Sequence, residues 1–174
     1  MTIKKELKLK AKLINPQIAE AVVKKIGKYN GVEETTDFFF TSSTFTISEL
    51  RLRKSKSEKE VKFKLPLSRN TFQENEEYDF KVDDATDFSK FLEVVGFKLK
   101  TILRKSSKIY EYEEISIRIS KIENIGDYIE LTMHCEKDFN DKDKNKILEL
   151  LRNLGIAESY IDSRYYSEIN QENK

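Results

Sequence analysis

Along several segments of this chain a charged residue alternates with an apolar one. Glu6-Leu7-Lys8-Leu9-Lys10, Leu50-Arg51-Leu52-Arg53 and Val61-Lys62-Phe63-Lys64-Leu65 share the pattern. A period of two sends successive side chains to opposite faces of a β-strand, so each segment carries one charged face and one apolar face. A charged sheet face has two homes: bulk water, or the hydrated inside of a closed barrel. Leu7, Leu9, Leu50, Leu52, Val61, Phe63, Ile129 and Leu131 would then form the outer apolar faces, which amphipathic helices can cover. An interior carrying Arg and Lys from several strands would have to hold water and an anion.

Turn and capping signals divide the chain into about eight strands and a few helices. Strands are predicted near 2–13, 33–41, 48–54, 59–66, 72–82, 97–105, 108–121 and 127–136. A first helix is predicted with Asn15 as cap, Pro16 in its first turn and Asn30-Gly31 as its stop, burying Ile18, Val22 and Ile26. A second runs from about Asp87 to Val95, capped by Thr86 and ended by Gly96, with Phe88, Phe91, Leu92 and Val95 inward. A third opens near Asn140 or Asp141 and closes at Gly155, burying Ile147, Leu150, Leu151 and Leu154. Tyr160, Tyr165 and Tyr166 in the tail suggest a further helix packed across the barrel, with hydroxyls directed to polar neighbours. The expected fold is α+β, an antiparallel eight-stranded closed β-barrel with helices packed outside, forming one domain over 1–174.

Composition excludes several classes of function. The 32 Lys and Arg nearly balance the 31 Asp and Glu, so any basic site must be local, and no global signal favours DNA or a membrane surface. A single cysteine, Cys135, rules out an internal disulfide framework. With no long apolar run, a cytoplasmic location is expected. There is no P-loop, no dinucleotide glycine pattern, no H-E-x-x-H helix and no nucleophile elbow. His134 is the lone histidine and shares strand parity with Glu130 and Thr132; such a histidine is more often structural than catalytic.

The order of short motifs resembles the CYTH family, also called triphosphate tunnel metalloenzymes. Glu6-Leu7-Lys8-Leu9-Lys10 stands where that family has an N-terminal E-x-E-x-K strand. A helix follows, then an R-x-R strand at Arg51 and Arg53 and a lysine strand ending at Lys64. Gly96-Phe97, Lys105, the segment Ile125-Gly126-Asp127-Tyr128-Ile129-Glu130-Leu131 and the terminal Tyr166-Ser167-Glu168-Ile169 keep the family's order over nearly the whole chain.

The resemblance implies a tunnel that binds a triphosphate-containing small molecule. Lys10, Arg51, Arg53, Lys64, Lys105 and Arg118 are the candidate phosphate ligands, since Arg grips oxygens bidentately and Lys adds a point charge. Glu6, Glu130 and Glu76, with Glu74 as an alternative in the same run, are the candidate ligands for Mg or Mn. Three activities stay open: triphosphate hydrolysis, adenylate cyclisation of the class IV type, and polyphosphate or nucleotide sensing with little or no turnover.

Four positions depart from the family pattern. Lys8 replaces the second Glu of E-x-E, Ser120 an expected Asp, Thr132 the partner of Glu130, and Ser107 a usual Arg two residues beyond Lys105. Lys8 reverses a charge, and two like charges about 4 Å apart repel by roughly 4 kcal/mol at an effective dielectric near 20. Lys8 and Arg118 are therefore expected to replace part of a metal's charge. Lys105 also has a parity problem: with Phe97, Leu99 and Leu103 facing the helices, strict alternation turns it outward unless a bulge intervenes.

Overall fold

The structure is a computed structural model and describes residues 2–44 and 49–172. Eight antiparallel strands close into a barrel. They are β1 (Thr2–Lys12), β2 (Lys28–Ser42), β3 (Glu49–Ser55), β4 (Lys59–Arg69), β5 (Gln73–Lys81), β6 (Phe97–Tyr112), β7 (Ile115–Ile122) and β8 (Gly126–Cys135). Around the barrel the order is β1-β5-β4-β3-β2-β6-β7-β8, and β8 pairs back onto β1. The helices are α1 (Pro16–Ile26), α2 (Ala85–Val94), α3 (Asp141–Asn153) and α4 (Tyr166–Glu172). Residue 48, placed at the start of a strand by the sequence, lies outside the described residues.

The alternating segments put their apolar residues outside, beneath the helices. Leu7 and Leu9 of β1, Ile117 of β7 and Leu131 of β8 are fully buried against Val23 of α1 and Ile147 and Leu151 of α3. Each such side chain contributes roughly 2 kcal/mol of burial free energy. A second outer layer joins Leu50, Leu52 and Val61 to Ala85 and Leu92 of α2. A third apolar cluster lies within the barrel at one end, where Phe39, Leu103, Ile122 and Tyr128 meet Tyr166 and Ile169 of α4. Helix α4 thus plugs that end, and the opposite end stays open.

Several local expectations change. Helix α1 stops at Ile26, and Asn30-Gly31 falls instead at a bulge in β2, where Gly31 has φ 117°. Gly27 follows as the C-cap in an extended conformation, and a Cβ there would come within 3.2 Å of the Val23 carbonyl and 3.4 Å of the Tyr110 side chain. So close an approach to the wall favours small residues. Ala19 and Val23 are buried, whereas Ile18 is 63% exposed and Val22 is only partly covered. Helix α2 is capped by Asp84, whose carboxylate accepts from the Thr86 and Asp87 amides, and it leaves Phe91 and Val95 exposed. Helix α3 keeps its expected stripe and adds a capping box between Asn140 and Asp143.

The break predicted at Ser106-Ser107 lies at Glu113-Glu114, so β6 runs through to Tyr112. Small polar residues suggest a turn only when they face water; the Ser107 hydroxyl faces the Ser120 hydroxyl across the ladder at 2.8 Å, fully buried. No helix among the described residues is long and apolar enough to cross a membrane.

Candidate functional site

Directly paired residues of an antiparallel ladder share a face, so the register determines what enters the lumen. Arg53 pairs with Asp37, Lys64 with Glu77, Lys8 with Thr132, Arg118 with Glu130, and Ser107 with Ser120. Lys105 joins them because of a bulge. Phe39 pairs with Thr101 but Phe40 with Leu99, leaving Lys100 as the extra residue. Beyond it, Thr101, Leu103, Lys105 and Ser107 all point inward, while Arg104 turns out to pair with Glu123. Leu103, expected against a helix, belongs to the internal plug for the same reason.

The open end leads into a cavity of about 500 Å³, mouth included, whose lining is entirely polar. Arg51, Arg53, Lys105, Arg118, Glu6 and Glu130 from the sequence-based set all line it, together with Lys8, Lys62, Glu77, Ser116, Thr132 and His134. Lys64 is buried just behind, held by Glu6 and Glu77. Lys10 sits at the plugged end. Its ammonium donates to the Arg164 carbonyl and lies 4.2 Å from the centre of the Tyr166 ring.

Glu76 does not enter the tunnel. It pairs with Lys5, both side chains turn away from the lumen, and the Tyr78 hydroxyl donates to its carboxylate. The carboxylate at that level of the tunnel is Glu77, one residue on, because the side-chain period of two exchanges faces with each step. Glu74 also lies outside and pairs with Lys144 on α3. Asp37 is a further lumen residue that sequence reasoning missed, and Lys62, placed with Lys64 on the charged face of β4 but not among the candidate ligands, lines the cavity as well. Cross-strand charge complementarity was the available signal: Asp37 faces Arg53, and Glu77 faces Lys64.

The interior is not uniformly basic. Among the buried charged groups of the described residues, Glu6, Asp37, Glu49, Glu77 and Glu130 equal Lys10, Arg51, Arg53, Lys64 and Lys105 in number, though not every one is paired. Arg53 grips Asp37 with two hydrogen bonds of 2.7 Å. Lys64 reaches Glu6 at 2.6 Å and Glu77 at 3.2 Å, and Lys62 reaches Glu77 at 2.9 Å. Arg118 pairs with Glu33 of β2. Burial alone would raise the carboxylate pKa values. Arg53 and Arg51 outweigh it at Asp37, Lys64 and Lys62 at Glu77, and Lys8 and Lys105 at Glu130, holding all three well below the usual range.

Two lysines behave differently. No carboxylate of the described residues lies within ion-pair distance of Lys105, and burial, reinforced by Arg53, pushes its pKa down to about 7. Burial brings Lys10 down to about 8, against the pull of Asp162 and Glu130. The Arg51 Nε, also buried, has no hydrogen-bond partner among the described residues. Donors of this kind are what an anion entering the cavity would satisfy.

A divalent cation fits less well. Ligand atoms of Glu6, Glu77 and His134 lie within 4.8 Å of one another, a spacing suited to a metal. Yet one Glu6 oxygen accepts from Lys64 and from Asn75, and the other lies 3.1 Å from the Lys8 ammonium. Glu77 is held by Lys62 and Lys64. A metal ion there would share its ligands with three ammonium groups, so the residues as arranged do not fit one. The four departures noted in the sequence also prove to be two cross-strand pairs, Lys8 with Thr132 and Ser107 with Ser120.

Residues 3–166 match the CYTH domain. A protein of Methanocaldococcus jannaschii, provisionally named an adenylate cyclase, is 27% identical over 171 residues, covering 94% of this chain and 97% of its own length. A Pyrococcus horikoshii structure superposes with a TM-score of 0.85 at 22% identity, covering 94% of this chain and 98% of that one. A Hippeastrum protein, provisionally called an adenylyl cyclase and described as having a dominant triphosphatase activity, superposes with a TM-score of 0.72 at 15% identity, over 98% and 96% of the two chains. With the match spanning nearly every strand of the barrel, this chain belongs to the CYTH domain family.

Proposed function

We propose that the tunnel binds the triphosphate group of inorganic triphosphate, a nucleotide or another organic triphosphate. The observation that carries this reading is the set of buried cationic donors left unmatched beside one polar cavity: Lys105, without a carboxylate partner, and the Arg51 Nε. A triphosphate presents several anionic oxygens in a row. Arg51 can engage them through its unpartnered Nε, Arg53 through the terminal nitrogen it does not commit to Asp37, while Lys105 and Arg118 add charge from the facing wall. Lys64 acts indirectly, by fixing Glu6 and Glu77. The relatives named for adenylate cyclase and triphosphatase activity support the same ligand class.

Hydrolysis is the second reading, supported by the triphosphatase activity described for the Hippeastrum relative. Phosphoryl transfer depends mainly on positioning and charge stabilisation, which such a tunnel supplies. The lumen carboxylates are weak bases, however, because neighbouring cations hold Glu130 and Asp37 far below the usual range. Slow turnover is therefore expected.

A thermal-shift panel of tripolyphosphate, ATP, pyrophosphate and sulfate tests the reading, since a ligand that binds the folded state stabilises it in proportion to the logarithm of its concentration over Kd. Tripolyphosphate and ATP should raise the melting temperature well above the effect of sulfate at equal ionic strength. Equal shifts with all four anions would refute a triphosphate site. Measuring released phosphate and cyclic AMP in the same samples separates hydrolysis from cyclisation.

A further inference from the structure

We propose that the Lys8 ammonium is a built-in cation of the tunnel, so that triphosphate binds here without a divalent metal. This inference rests on the triphosphate reading above and adds what neutralises the ligand. The Lys8 Nζ lies 3.1 Å from a Glu6 oxygen and 4.0 Å from a Glu130 oxygen, spanning two carboxylates that enter the lumen from adjacent strands. Its side chain is 12% exposed and lines the cavity. Opposite it in the ladder stands Thr132, which contributes a hydroxyl but no negative charge.

Three consequences follow from this geometry. A metal bridging Glu6 and Glu130 would have to expel the ammonium, and Lys8 is anchored to β1, whose neighbouring Leu7 and Leu9 are fully buried. The Glu6 carboxylate already serves three donors, with Lys64 and Asn75 on one oxygen and Lys8 on the other. A bound metal must also be recruited from solution, whereas Lys8 is present in every folded molecule. An ammonium offers up to three donors, so Lys8 can donate to Glu6 and stay at ion-pair distance from Glu130 while directing a hydrogen toward a phosphate oxygen in the cavity.

The test is calorimetric titration of tripolyphosphate into the full chain, in a chelator and again with Mg or Mn. Wild-type protein should bind in the chelator with a Kd within about threefold of the metal value, a difference below 1 kcal/mol. Lys8→Glu should weaken binding in the chelator by about tenfold or more and recover with Mn, because a carboxylate then replaces the cation. Should that variant fail to fold, Lys8→Met gives the second measurement. Electron paramagnetic resonance should find Mn free in the presence of wild-type protein and partly bound by Lys8→Met. Wild-type binding that disappears in the chelator and returns with Mn would overturn the proposal while leaving the triphosphate site intact. Absence of binding in both conditions would instead remove the triphosphate reading itself.

Discussion

The two walls of the tunnel manage charge in opposite ways. On the wall of β1, β5, β4, β3 and β2, nearly every cation has its carboxylate: Arg53 with Asp37, Lys64 with Glu6 and Glu77, Lys62 with Glu77. On the wall of β6, β7 and β8, Lys105 has none, Ser107 and Ser120 satisfy each other, and Glu130 is the only buried carboxylate. The matched wall is paired before any ligand arrives, except at the Arg51 Nε, which is left for an incoming anion. On the facing wall Arg118 reaches Glu33, but Lys105 has no carboxylate at ion-pair distance among the described residues, and an incoming anion can supply one. Buried paired charges add little to stability, but each becomes a heavy penalty when its partner is removed. A buried cation with no partner is a penalty from the outset, which binding can relieve.

Substitutions on the two walls should therefore change stability in opposite directions. The largest effect is expected on the matched wall. Arg53→Met removes both short hydrogen bonds of the buried Asp37, leaving Arg51 at 3.6 Å as its ion-pair partner, and should destabilise the protein by about 3 kcal/mol in denaturant unfolding. Adding Asp37→Leu should return much of that loss, and no recovery would mean the pair does not act as a unit.

Lys105→Met should leave the unliganded protein as stable as before, or more so, while weakening tripolyphosphate about tenfold or more through loss of a charge-assisted contact. It also carries a pH signature. Lys105 titrates near 7 in the fold but near 10.5 when unfolded, so the unfolded chain holds more protons between those values. This group therefore makes the unliganded fold more stable as pH rises from about 7 toward 10. Ligand binding works in the other direction. A phosphate beside Lys105 favours the charged amine, so titrations at pH about 8 should show proton uptake, and affinity should fall as pH rises through that range. Lys105→Met should abolish most of the uptake; an unchanged uptake would assign the proton to Lys10 or to the ligand.

The smallest effect concerns the plug that joins the walls at the closed end. The Tyr165 hydroxyl donates to Asn75 at 2.8 Å just before α4. Tyr165→Phe should cost about 1 kcal/mol by the same unfolding measurement, with little change in affinity.

The sequence by itself placed most of the charged lining on one face of each strand, and the order of its motifs, through their resemblance to the CYTH family, pointed to the barrel. Alternation over β1, β3 and β4 is a local property, fixed by the pleat, so Lys10, Arg51, Arg53 and Lys64 could be assigned to one face before any partner strand was known. The stripe of α3 was legible for the same reason. Tertiary structure decided whatever depended on register. Glu77 rather than Glu76 enters the lumen because of how β5 meets β4 and β1. Lys105 points inward because one bulge in β6 inverts every residue after it. Helix α1 buries Ala19 and Val23 because its closeness to the wall, not its most apolar stripe, selects the contacting face. Above all, only the assembled barrel brings Lys8 between Glu6 and Glu130 and leaves Lys105 unmatched. Charge pairing is a property of distances across strands far apart in the chain, and those distances exist only once the sheet has closed.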